Sequence, residues 1–197
     1  MTGPQKTGPA RLGPGVLSYL ALFRFQNPAL EKSAAAVLGR LPPLAGAAIR
    51  IQSVCGLRDR RGPVHGGSFL RERRIVLDCG PTEFQRIFAH ELFHFVWFRV
   101  GNAARRSYED LVRAEWRAGA RGELGWSAEW RKGRLAPRDI EARSRRWREY
   151  CCESFCDAAA ALYSGIRSHR EFTLAARFRR RRQEWFARVV EPRRLSI

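Results

Sequence analysis

Apolar positions recur at helical spacing through the second half of this chain and alternate with polar ones only in short stretches before it. The densest apolar run is Thr82–Val100, where Phe84, Ile87, Phe88, Leu92, Phe93, Phe95, Val96 and Phe98 cover most of a helix surface. That pattern predicts a helix buried nearly all round. Pro81 and Thr82 suit its first turn and Gly101-Asn102 suits its end. Arg138–Tyr163 predicts one long helix, and Ala103–Trp116 and Glu171–Val190 predict two more. The last carries an apolar stripe of Phe172, Ala175, Phe178, Trp185 and Val189.

Upstream, Ala48–Val54 alternates apolar and polar residues and Phe69–Cys79 centres on Ile75-Val76-Leu77, so both read as strands. Helical character over Val16–Phe25 and Ala29–Leu38 ends at Pro42-Pro43. Gly62–Ser68, which carries His65, and Gly119–Pro137 are rich in turn residues and read as irregular. Trp126 and Trp130, inside the second of these, either pack over the core or form a rim beside a cleft. Met1–Gly15, with four glycines and three prolines, reads as a flexible arm. The expected fold class is α+β: one mostly helical domain over residues 16–197, with a small β-sheet preceding the Thr82–Val100 helix.

Composition narrows the class. With 197 residues, 45% hydrophobic and 11% aromatic, the chain has enough apolar matter for a real core. No apolar run approaches the roughly 20 residues of a membrane span. Gly15–Phe25 is short, contains Arg24 and lacks a small-residue cleavage pattern, so it reads as a docking helix rather than a signal peptide, and a cytoplasmic location is the default expectation. Five cysteines, an odd number, suit a reducing compartment. Adjacent cysteines on a helix point about 100° apart. With no matching pair elsewhere, Cys151, Cys152 and Cys156 read as small buried hydrophobes.

The formal net charge is +18, and only Lys6, Lys32 and Lys132 of the 37 basic residues are lysine. The densest cluster, Arg177–Arg182, reads as a solvated helix face in preference to a nucleic-acid contact. No zinc-finger spacing, RNA-recognition signature or helix-turn-helix pattern accompanies it. Nothing in the sequence bears on oligomeric state.

Candidate chemistry lies inside the densest apolar helix. His90-Glu91-Leu92-Phe93-His94 sets two of the chain's four imidazoles four residues apart, on one helix face, with a glutamate beside the first. Both imidazoles can reach one metal ion, and the glutamate can act on a water there. Two histidines leave a metal site short of a ligand. Most later glutamates stand among arginines, where a solvated ion pair is the default. Glu153 is different: from Tyr150 to Tyr163 the only charges are Glu153 and Asp157. Two carboxylates in so apolar a helix are costly to bury unpaired, and their i, i+4 spacing puts them on one face. A metal ion and its histidine ligand satisfy both, Glu153 as ligand and Asp157 as acceptor of the histidine's other ring N–H.

At these residues the chain resembles the gluzincin branch of the zincin metallopeptidases. It lacks the metzincin pattern, since Trp97 and Val100 occupy the places of that group's glycine and third histidine. The resemblance implies Zn2+ held by His90, His94 and Glu153, Glu91 as catalytic base, Asp157 behind a ligand histidine, and a peptide or protein substrate that pairs with a nearby strand. It covers two helices only, and the 58 residues between His94 and Glu153 exceed the spacing of many relatives. For stabilising the oxyanion, Tyr150, Tyr163, His65, His169 and nearby arginines all stand open; Tyr150 shares a face with Glu153 and is favoured. Two other readings compete: an arginine-rich nucleic-acid-binding protein, and a catalytically silent zincin-like protein that binds peptides without cutting them.

Overall fold

The computed structural model describes residues 20–60 and 62–197. The expected arm, Met1–Gly15, lies outside them. Among the described residues, seven helices and a set of short strands make a mixed α+β fold. In chain order these are β1 (Phe23–Phe25), α1 (Pro28–Leu38), β2 (Leu44–Ala45), β3 (Ile49–Ser53), β4 (Arg58–Asp59), β5 (Gly62–Pro63), β6 (Gly66–Phe69), β7 (Arg74–Leu77), α2 (Pro81–Arg99), α3 (Asn102–Arg117), α4 (Trp126–Lys132), α5 (Pro137–Glu141), α6 (Arg145–Tyr163), α7 (Ala176–Val189) and β8 (Leu195–Ser196).

The main sheet has the order β1-β3-β7-β6, with β1, β3 and β7 parallel and β6 antiparallel to β7. It precedes α2, as the sequence pattern predicts. Ile49, Ile51, Ile75 and Leu77 are buried in the core together with Phe84, Phe88 and Phe95 of α2. The C-terminal strand β8 pairs in parallel with β2.

Three expectations are corrected. Phe23–Phe25, expected at the end of a helix, forms an edge strand in register with Ile49–Ile51. The predicted long helix Arg138–Tyr163 is two helices. α5 ends at Glu141, Arg143 takes a left-handed φ of 49°, and Ser144 restarts the chain by capping α6 through a bond from the Trp147 N–H. The two segments read as irregular each contain regular structure, β5 and β6 in the first and α4 in the second. In both, glycine-rich composition masks elements that tertiary packing supports.

α2 and α6 form the centre of the molecule. Phe93 of α2 meets Phe155 of α6 at 5.8 Å and stacks on Tyr163 at 5.4 Å; Phe155 stacks on Phe186 of α7 at 5.0 Å. Tyr108 of α3 packs edge-on against Trp185 at 4.9 Å. Beside this aromatic core, Arg182 of α7 is fully buried and bridges Glu115 (2.7 Å) and Glu123 (2.6 Å), and Glu123 also accepts from Lys132 and from the Tyr150 hydroxyl.

Removing one member of a buried ion network leaves the others charged and unpaired, which costs about 3–5 kcal/mol. Arg182→Ala is therefore expected to lower the unfolding free energy by that amount, measured by urea denaturation. A loss below about 1 kcal/mol shows that α7 is held by its aromatic face alone.

Candidate metal centre

α2 reaches its position because Phe84, Phe88, Leu92, Phe93, Phe95 and Val96 are apolar on several faces and need burial on several sides. The remaining strip presents His90, Glu91 and His94 towards a cleft of about 640 Å³. α6 faces it with Glu153 and Asp157, and the edge strand β6 and the start of α4 complete the walls.

Two ring nitrogens and one carboxylate oxygen converge. His90 Nε2 lies 3.2 Å from His94 Nε2 and 3.3 Å from Glu153 Oε2, and His94 Nε2 lies 3.9 Å from the same oxygen. Ligand atoms 2.0–2.2 Å from one tetrahedral ion stand roughly 3.3–3.6 Å apart, so the three separations suit a shared cation. Two imidazole nitrogens facing each other at this distance need a proton or a cation between them.

The supporting contacts fix these groups. His90 Nδ1–H donates to Asp157 Oδ1 at 2.7 Å, and Asp157 Oδ2 accepts the Ala128 N–H at 3.1 Å. This orients the ring with Nε2 towards the cleft. A Cβ on Gly125 would lie 2.2 Å from the Asp157 carboxylate, so only glycine lets the start of α4 wrap it. Arg131 of α4 pairs with the other oxygen of Glu153, Oε1, at 2.8 Å, leaving Oε2 free to turn towards the histidines.

Glu91 is held from the sheet. Ser68 Oγ lies 2.6 Å from Glu91 Oε2 and 2.6 Å from the Glu91 backbone carbonyl, and its single hydrogen serves one acceptor at a time. β6 approaches this closely because residue 66 is glycine: a Cβ there would lie 2.8 Å from Glu91 Oε1 and 2.7 Å from Ile87 Cγ2.

A second trio, His94, Cys152 and Cys156, also brings its ligand atoms within 4.8 Å of one another. Cys152 Sγ lies 3.5 Å from His94 Nδ1, so Cys152 is more than the apolar filler its sequence context suggested. Neither cysteine lines the cleft, whereas His90, His94 and Glu153 all do. Only the histidine–glutamate set leaves room for a further ligand from solvent.

Tyr150, the favoured oxyanion donor, does not reach the site. Although it precedes Glu153 by one helical turn, its side chain is buried and its hydroxyl donates to Glu123 at 2.6 Å. Burial and the Glu123 charge push its pKa far up. Tyr163 is buried in the aromatic core, and His169 Nε2 is paired with Glu83 at 3.1 Å. His65 does line the cleft, with Nδ1 3.3 Å from the Asp78 backbone carbonyl, and Arg86, Arg131 and Arg170 line it as well. Arg86 is committed to Glu83 and Glu171. Trp126 and Phe98, two of the four exposed large hydrophobics among the described residues, stand at the same cleft, so Trp126 belongs to the rim.

No protein-family model, curated protein or solved structure matches this chain.

Without an ion, the cluster holds protons instead. Burial opposes the charged imidazoles, but Asp157 and Glu153 prevail at His90 and hold its pKa well above 6.5. At His94 burial is likewise outweighed, by Cys152 and Glu153, and the pKa rises to about 9. Glu153 falls to about 2 because the two histidines and Arg131 outweigh its burial. The cluster therefore favours bound protons at pH 7, and a metal must displace them. Metal uptake at pH 7 is expected to release protons, and the apparent affinity is expected to climb from pH 6.5 to about 9. Calorimetry in buffers of different ionisation enthalpy measures this; uptake without proton release shows that these imidazoles are not the ligands.

Proposed function

We propose that this chain is a zinc-dependent peptidase of the zincin kind, with His90, His94 and Glu153 as ligands and Glu91 as general base. The observation that carries this reading is the convergence of His90 Nε2, His94 Nε2 and Glu153 Oε2 on one point of a cleft that Glu91 also lines. Two nitrogens and one oxygen in a tetrahedral spacing, with one side open, suit a catalytic rather than a structural ion. When bound, zinc supplies Lewis acidity and lowers the pKa of water from about 15.7 to near 7.

The chain's own residues divide the remaining work. Glu91 takes the proton of the attacking water on Oε1, the oxygen that Ser68 does not engage, and hands it to the departing amine. Ser68 keeps the carboxylate turned into the cleft. Asp157 holds the His90 tautomer, and Arg131 keeps Glu153 to one ligand oxygen. Oxyanion stabilisation falls to the cleft-lining donors His65 and Arg170. A peptide substrate fits because β6 pairs with β7 on one side only, and its Gly66–Ser68 backbone lines the cleft. An extended chain adds to such an edge through main-chain hydrogen bonds.

Elemental analysis of protein purified without added metal is expected to find about one zinc per chain, lost in His94→Ala and Glu153→Ala. Absence of zinc even after soaking overturns the proposal. Glu91→Gln is expected to keep the zinc and to lower turnover of an unfolded protein such as casein by about 10²–10⁴-fold. Ser68→Ala is expected to keep zinc and lower kcat about tenfold, the worth of one hydrogen bond to a charged group. Full zinc with no cleavage by wild type favours a peptide-binding role without turnover.

A further inference from the structure

α6 separates the metal cleft from a second, larger groove of about 850 Å³. Its floor is Ala158, Ala161 and Leu162 of α6. One wall is α7, where Ala176, Arg179, Arg180 and Gln183 recur at i, i+3, i+4 and i+7 and so share a face. The other wall is the segment after α6, with Gly165, Ile166 and Arg167, joined by Arg40 from the end of α1.

This groove gathers positive charge on one concave surface. Six arginines line it and, among the described residues, no aspartate or glutamate does. Arg182 is neutralised from within by Glu115 and Glu123. Of the other five, only Arg180 has an acidic partner, Glu184 at 3.9 Å. Outside the groove, Arg74, Arg86, Arg113, Arg131, Arg143 and Arg145 each meet a carboxylate, and arginines without one, such as Arg58, Arg71 and Arg188, do not line it. Gly165, at φ 82°, would put a Cβ 2.7 Å from Arg40 Cζ, so the absence of a side chain admits this guanidinium to the groove. Phe172, half-buried, adds one aromatic surface to the lining.

We infer that this groove binds the backbone of a single-stranded nucleic acid. Unpaired guanidiniums are forked donors matched to phosphate, and a positively charged groove with an aromatic side chain is how sequence-tolerant single-strand binders work. A concave surface suits a flexible strand; a duplex is read by elements that protrude into its grooves. A membrane surface fits less well, because none of the exposed large hydrophobics, Val54, Phe69, Phe98 and Trp126, lies at the groove. This site is independent of the metal centre.

The test is fluorescence anisotropy with a labelled single-stranded oligonucleotide of mixed sequence, on the full chain. Wild type is expected to bind at about 50 mM salt, with log K falling against log salt at a slope of about −2 to −3, from three to four phosphates at about −0.7 each. Arg167→Gln/Arg177→Gln/Arg180→Gln is expected to weaken binding more than tenfold. Arg58→Gln/Arg71→Gln/Arg188→Gln, with the same net charge but outside the groove, is expected to change it less than threefold. Circular dichroism shows that both variants are folded. Equal loss in the two variants, or loss in neither, overturns the assignment, as does failure of wild type to bind. Binding of a duplex as tightly as the single strand overturns the single-strand commitment.

Discussion

Everything at the candidate site depends on burying charge between two apolar helices. α2 and α6 meet through Phe93, Phe155 and Tyr163, yet the same seam holds two imidazoles and two carboxylates. An isolated charge there is prohibitive, so each is tied to another. Asp157 is tied to His90 and to the Ala128 N–H, and Glu153 to Arg131 and the histidines. The geometry follows from that necessity. A cluster in which each charged group is tied to another has few alternative arrangements, and this preorganises the candidate ligand atoms.

What the sequence made legible is local. The i, i+4 spacing of His90 and His94 defines a helix face without reference to anything else in the chain. Glu153 and Asp157 stand out because they are the only charges in fourteen residues of apolar helix. The α+β class and the sheet preceding α2 follow from alternation and apolar runs. By contrast, Gly66, Ser68, Gly125 and Arg131 come from two other segments, β6 and α4 with its cap, and act only across tertiary contacts. Their signals are a glycine in a turn-rich stretch or one arginine among 34, which carry no information until the fold is closed.

The misreadings have physical causes as well. Tyr150 sits one turn before Glu153, and spacing alone puts the two on one face. Three residues span about 300° rather than a full turn, however, and that difference swings the phenol away from the cleft towards Glu123 and Arg182. The break at Ala142–Ser144 was hidden because Arg143 gives no compositional warning of its left-handed backbone; only the Ser144 cap marks it. Phe23–Phe25 is apolar in a way that suits helix or strand, and pairing with β3 decides it.

α6 thus serves two polar systems at once. One face supplies Glu153 and Asp157 to the metal cleft, and another sends Tyr150 to the Glu123–Arg182 network, which pins α7. Arg182 is the one arginine of the Arg177–Arg182 run that turns inward, and its burial fixes the rotation of α7. With that rotation set, Arg179 and Arg180 must face the groove and Phe178 the core. The arginine-rich surface therefore has an orientation fixed from within. It is positioned by the same buried ion network that keeps Tyr150 out of the candidate metal site, and a single helix orders both the carboxylates on one side and the cationic wall on the other.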